Sequence, residues 1–239
     1  MAGENGAPQP VRHEVRWTDR KIGAFWSIVS DVSGEQFFSR RAAGVFLDIA
    51  AAHLGHKVLD VGCGDGWLVH EMRRRGYEAI GVDPSPPDSP YLFKMKATEL
   101  GALAERQFDS AVSLETFEHV LPEELPAAVQ AISSVLRRGG KLVFTTPLEE
   151  NLRDEMCVCP DCHAVFHRWQ HQQSFSKESL ARILEAAGLQ PLSFRGFELP
   201  FSFLFVPRFL RPPFTRFWAW LRGRYHRKVS VLVVAQRFA

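Results

Sequence analysis

A chain of 239 residues, 46% hydrophobic and 23% charged, has the composition of a globular protein with apolar material for a sizeable core. A net charge of +2 argues against a polyanion binder as a whole, and without a run of about 18 apolar residues no spanning helix is predicted. Of four cysteines, three fall between positions 157 and 162, which speaks against a disulfide framework and for metal in a reducing, cytoplasmic setting.

The opening MAGENGAPQP lacks the basic-then-apolar order of a signal peptide, so residues 1–10 are expected to be a disordered tail. Residues 11–56 are expected to form a helical extension. Within it Trp17, Ile22, Phe25, Trp26, Phe37 and Phe38 make an aromatic-rich stretch, and Ala42–Leu54 has helical apolar spacing. Val58-Leu59-Asp60-Val61 then predicts a buried strand, and Gly62-Cys63-Gly64-Asp65-Gly66 a turn with glycine at every second position. Trp67–Arg75 predicts a helix closed by Gly76, and Ala79–Val82 a strand that ends on Asp83. In a parallel sheet that unit crosses over right-handed. Its glycines let the backbone pass close under a ligand, and Asp83, about 20 residues on, is placed for a ribose hydroxyl.

The spacing is GxGxG, with Val-Leu-Asp-Val before it and Gly-Val-Asp after it. The stretch closely resembles motif I of the class I S-adenosylmethionine-dependent methyltransferases. That resemblance implies S-adenosylmethionine as the cofactor, with Asp60, Gly62, Cys63, Gly64 and Gly66 against its methionine part. It also implies that Asp83 binds both ribose hydroxyls. Family members often hold the adenine amine with an acid after the third strand. Here Lys96-Ala97-Thr98 stands instead, which passes the adenine contact to a backbone amide near Ala97 and Thr98.

Past the turn PSPPDSP, Tyr91–Met95 predicts the third strand and Phe108–Leu114 the fourth. Glu123–Arg138 is an amphipathic helix ended by Gly139-Gly140, and Lys141–Thr146 a fifth strand stopped by Pro147. The block LRRGGKLVFTTP resembles a later motif of the same family. Ser176–Ala187 predicts a helix capped by Ser176, and Pro191–Phe197 and Val229–Gln236 the last two strands. The expected fold is α/β: a Rossmann-like, seven-stranded, mostly parallel sheet with helices on both faces. The methyltransferase domain is expected over residues 57–239, with inserts at 147–175 and 199–227.

Three constellations carry chemistry. Glu115, Glu118 and His119 (E-T-F-E-H) follow the fourth strand, and at i, i+3 and i+4 of a helical turn they share one face. E-x-x-E-H at that place resembles the ubiquinone-pathway O-methyltransferases and the small-RNA 2′-O-methyltransferases. The resemblance implies a divalent metal such as magnesium beside the acceptor hydroxyls. Without metal, His119 alone is a candidate general base. The second is Cys157-Val-Cys159-Pro-Asp-Cys162-His163-Ala-Val-Phe-His167, a zinc-knuckle spacing. Its preferred ligands are Cys157, Cys159, Cys162 and His167, with Cys159, Cys162, His167 and His171 as the rival set. His171 has a competing place, since the small-RNA enzymes have a histidine there that joins the E-x-x-E-H group. The third is the segment 199–227, where Phe201, Phe203, Phe205, Phe209, Phe214, Phe217, Trp218 and Trp220 interleave with arginines. It suits a membrane interface, a lid over an apolar acceptor, an oligomer contact or its own core.

The resulting expectation is O-methylation of a small or lipid-like acceptor in the cytoplasm, with peripheral membrane contact through 199–227. One alternative is an RNA methyltransferase that grips nucleic acid with knuckle and arm. Another is a non-catalytic binding protein that keeps the cofactor fold.

Overall fold

The computed structural model describes residues 13–33, 38–197 and 229–238, with the isolated positions 210, 213 and 217. The expected tail over residues 1–10, and the segment 199–227 apart from those three positions, lie outside the described residues. In chain order the early strands are β1 (His13–Glu14), β2 (Lys57–Val61), β3 (Glu78–Asp83), β4 (Leu92–Lys94) and β5 (Phe108–Leu114). Then come β6 (Leu136–Leu148), β7 (Met156–Val158), β8 (Ala164–His167), β9 (Leu189–Phe197) and β10 (Val229–Arg237). The α-helices are α1 (Asp19–Ser33), α2 (Phe38–Ala50), α3 (Trp67–Arg74), α4 (Leu125–Val135) and α5 (Lys177–Ala186).

Seven strands form one sheet in the order β4-β3-β2-β5-β6-β10-β9, all parallel except β10, which runs against both β6 and β9. The strand alternation supplies both cores. Along β10, Val231, Val233 and Ala235 enter one apolar cluster with α4 and α5, and Leu232 and Val234 enter the other with α2 and α3. The chain moves outward from β2 through β3 to β4, then returns to β5 on the other side. That reversal opens a crevice at the carboxyl ends of β2 and β5, where open α/β sheets place their ligands.

All seven expected strands are present, and the helices shift at their ends. α2 starts at Phe38, and its last turn tightens into a 3-10 helix at Ala51–His53. α4 stops at Val135, because β6 starts at Leu136 and carries Gly139-Gly140 into the sheet. The E-T-F-E-H segment is not an α-helical turn: Glu115 has φ +50° and only Phe117–His119 coil, as 3-10 helix.

The 147–175 insert is built around a hairpin. β7 and β8 pair antiparallel, and β1 from the N-terminal extension adds parallel to β8, so extension and insert share a small sheet. The register decides the fate of the expected zinc set. Met156 pairs with His167 and Cys157 with Phe166, and neighbouring residues on a strand face opposite ways. His167 therefore lies on the other face of the hairpin from Cys157.

Helix α5 begins as its sequence predicts, with Ser176 Oγ accepting the Ser179 N–H at 3.1 Å. Ser176→Ala is expected to cost about 1 kcal/mol and lower Tm by about 2–4 °C in a thermal melt.

Candidate functional site

The first half of the site is the crevice beside β2. The glycine loop approaches the segment after β5 so closely that a Cβ on Gly62, which has φ +77°, would overlap the Thr116 side chain. Asp83 ends β3, and its two carboxylate oxygens accept the N–H groups of Gly64 (3.1 Å) and Ser85 (2.9 Å). A carboxylate has about four acceptor sites, so two remain for hydroxyl donors. Asp60 is buried, and its Oδ2 has no hydrogen-bond partner. Burial raises Asp60 well above the usual carboxylate range, and the charges of Asp83 and Asp65 raise it further. Burial also lifts Asp83, against the two backbone N–H groups that hold it down. Asp65 is engaged by Arg40 of α2 at 2.7 Å. The crevice thus gathers acceptors and negative potential, which suits a ligand with a positive charge and hydroxyls.

Of the loop residues, Cys63 does not present its side chain there. Its Sγ packs at 2.7 Å from the place a Cβ on Gly81 would take, inside the core. Ala97 and Thr98 open a 3-10 helix, Ala97–Arg106, just past Lys94, the residue registered with Asp83. The adjacent Lys96 binds Glu124 at 2.6 Å and Asp19 of α1 at 3.0 Å, which fastens the N-terminal extension across this edge.

The second half lies at the carboxyl ends of β5 and β6. Glu118 is 1% exposed, and its Oε2 accepts the Thr146 hydroxyl at 2.9 Å. Glu118 Oε1 and His119 Nδ1 are buried without a hydrogen-bond partner, and His119 Nε2 lies 3.8 Å from Glu118 Oε1. Burial pushes Glu118 well up, helped by the charge of Glu115, and pushes His119 well down, helped by His171. Ligating atoms of Glu118, His119 and His171 lie within 4.8 Å of one another. Glu115 stands next to this trio without joining it, since the left-handed backbone at Glu115 sends its Oε2 to accept from Ser230 Oγ of β10 at 3.2 Å.

Three glutamines clamp the turn that carries these groups. Gln173 Nε2 donates to the carbonyls of Phe117 and Val120, the Gln172 N–H to Glu118 O, and Gln170 Nε2 to His119 O. Trp26 of α1 covers the trio: its ring meets His119 edge-on at 4.7 Å, and its Nε1 donates to Gln170 Oε1 at 2.8 Å. Sequence reasoning named His171, the E-T-F-E-H residues and the aromatic extension that holds Trp26, but missed Glu150, Thr146 and Gln170. The run Gln170-His171-Gln172-Gln173, three amides around a candidate ligand, was the signal that could have found the clamp.

The hairpin residues divide. The backbone N–H groups of Cys162 and Asp161 hold the Cys159 thiol below its ordinary range, and the Cys162 thiol hydrogen-bonds to it. His167 is buried next to Glu150 and His171. Neither expected set, Cys157/Cys159/Cys162/His167 or Cys159/Cys162/His167/His171, is brought together. Among the described residues no third Cys, His or acidic ligand atom joins two cysteines within 4.8 Å.

Residues 35–193 match the family model described as Methyltransferase domain. The chain is 33% identical over 162 residues to the ubiquinone biosynthesis O-methyltransferase of Idiomarina loihiensis, covering 59% of this chain and 65% of that protein. With the mitochondrial ubiquinone biosynthesis O-methyltransferase of Homo sapiens the identity is 29% over 187 residues, 70% of this chain and 47% of that one. The chain thus spans under two thirds of the first and about half of the second. Among solved structures, 1,6-didemethyltoxoflavin-N1-methyltransferase of Burkholderia thailandensis, bound to S-adenosylhomocysteine, superposes with a TM-score of 0.62. That likeness is at 17% identity and covers 96% of this chain and 94% of that one, and it shows the fold.

If α1 is what keeps water from the trio, Trp26→Ala raises the His119 ring pKa toward the ordinary imidazole range. An NMR titration of the histidine rings reads this directly, and an unchanged value would assign the burial to other neighbours.

Proposed function

Because the chain belongs to the methyltransferase-domain family, we propose that it transfers a methyl group from S-adenosylmethionine to an oxygen of a small or lipid-like acceptor. The observation that carries this reading is the adjacency of two half-sites: an acid-lined glycine loop, and the buried Glu118–His119–His171 trio beside it, with Gly62 against Thr116. Oxygen as the acceptor atom is supported by the relatives, which are named as O-methyltransferases.

The residues of the crevice fit the cofactor. The unpartnered Oδ2 of Asp60 and the unused acceptor sites of Asp83 offer what the amino, sulfonium and hydroxyl groups of S-adenosylmethionine need. Bound there, S-adenosylmethionine supplies an already activated methyl group. The protein's contribution is alignment: the loop fixes the donor, and the trio fixes the acceptor oxygen in line with it. The adenine contact by a backbone amide near Ala97 and Thr98 belongs to the same proposal.

Glu118, His119 and His171 would hold a divalent cation such as magnesium, which fits the two unpartnered buried atoms Glu118 Oε1 and His119 Nδ1. When bound, that ion lowers the pKa of an acceptor hydroxyl. His119 favours this role over that of a lone base. Its depressed pKa keeps the ring neutral and its lone pair ready for an ion, but makes it a poor proton acceptor. Glu115 steadies the edge through Ser230 and adds negative charge. Of the expected zinc ligands the described hairpin residues bring the Cys159 and Cys162 thiols together, and no step runs through zinc. No helix among the described residues is long and apolar enough to cross a membrane. Peripheral membrane contact through 199–227, a cytoplasmic location and the division at residues 57, 147–175 and 199–227 are carried by the sequence alone.

Calorimetric titration with S-adenosylmethionine and a methyl-transfer assay on phenolic lipids test the reading, with an RNA oligomer as the competing acceptor. Removing one charged hydrogen-bonding partner costs about 1.5–3 kcal/mol, so Asp83→Ala should weaken cofactor binding about 10–100-fold. Glu118→Gln should lower kcat about 100-fold or more while cofactor affinity holds, with chelator producing the same loss. Tight cofactor binding without transfer to any hydroxyl acceptor would return the chain to the binding-protein reading.

A further inference from the structure

Behind the trio, the insert carries a second group of buried titratable side chains that methyl transfer has not used: Glu150, which follows β6, and His167, the last residue of β8. The His167 and His171 rings stack at 4.4 Å and 20°. Glu150 touches both, with Oε2 in a short hydrogen bond to His171 Nδ1 and Oε1 3.7 Å from His167 Nε2. Ligating atoms of all three fall within 4.8 Å, so a second metal site is the first reading to weigh.

Proton positions decide against it. His167 Nδ1 accepts the backbone N–H groups of Trp169 at 3.3 Å and His171 at 3.2 Å. A neutral imidazole has one lone pair in the ring plane, and here it is taken, so the His167 proton sits on Nε2. A nitrogen that carries a proton cannot ligate an ion. The direct Glu150–His171 bond also engages Glu150 Oε2 and His171 Nδ1 with each other. His167 Nε2 is buried and lies 3.7 Å from Glu150 Oε1, beyond a hydrogen bond, so its contact with that carboxyl is electrostatic. The carboxyl meets His171 at Nδ1, so the proton the two groups share lies on that side of the ring, away from Nε2.

The geometry points to Glu150 as a positioning residue: backed by His167, it fixes His171 as the Nδ1–H tautomer and leaves the Nε2 lone pair for the Glu118–His119 site. A carboxylate behind an imidazole sets both its tautomer and its orientation, and raises its strength as a ligand or base. The hairpin insert then acts as a brace for one active-site ring, through Glu150 before β7 and His167 at the end of β8. This inference rests on the proposal that the trio receives the acceptor.

The test is ring-nitrogen NMR of the full chain labelled with 15N-histidine, with His167→Gln and His171→Gln used for assignment. The unliganded wild-type protein should show the proton on Nδ1 of His171 and on Nε2 of His167. Glu150→Gln keeps an acceptor oxygen and should keep the His171 tautomer, with a smaller loss of kcat than the next variant. Glu150→Leu should release His171 into a mixture of tautomers and lower kcat about 10–100-fold, with S-adenosylmethionine affinity unchanged. A wild-type His171 protonated on Nε2 would overturn the inference, as would an unchanged tautomer or an unchanged kcat in Glu150→Leu. If Glu150→Leu does not fold, the wild-type spectrum and Glu150→Gln decide. Titrating manganese or zinc and finding His167 Nε2 bound to metal would overturn it in favour of the second site. Should the chain transfer no methyl group at all, the tautomer spectrum still reads the Glu150–His171 pair, so the two failures are distinguishable.

Discussion

A carboxylate and an imidazole lie side by side in the interior, and the cost of keeping Glu118 and His119 there governs what surrounds them. Burying a polar side chain without partners costs several kcal/mol, more if it is charged. The fold meets part of that cost with Thr146 on Glu118, and the rest is left open at Glu118 Oε1 and His119 Nδ1. Those two open atoms point to a site made to receive something, since buried polar groups in a finished core are paired.

The turn that carries this pair is a short 3-10 helix, which has little stability of its own. Its backbone carbonyls would be poorly satisfied at the end of a strand, and Gln170, Gln172 and Gln173 supply the donors. The glutamines come from the insert, and the insert is tied by β8 to β1 of the N-terminal extension. The extension then returns through α1, where Trp26 closes over His119 and Asp19 binds Lys96. Extension, insert and site are therefore joined by direct contacts.

The two halves of the site are held differently. On the cofactor side, most positions follow from backbone: a left-handed turn, two N–H groups on Asp83, and the switch in strand order. On the acceptor side, side chains from four places meet: the turn after β5, the end of β6, the hairpin insert and α1.

The sequence by itself determined the seven strands, the glycine turn, Asp83 and the Ser176 cap, because each is written in adjacent residues whose local preference and burial agree. Resemblance to the small-RNA enzymes grouped Glu115, Glu118, His119 and His171, with His171 also open to the zinc set; the structure brings Glu118, His119 and His171 together and leaves Glu115 beside them, bound to Ser230. Only the tertiary structure decided the rest. Spacing alone made His167 a zinc ligand alongside Cys157, but the β7–β8 register puts them on opposite faces, and a register cannot be counted from the cysteines. Glu150 is one acid among several after a strand, and Trp26 one aromatic among several in a helix. Their meaning appears when β6, the hairpin and α1 converge, because hydrogen bonds between residues up to 144 positions apart leave no pattern in a single chain.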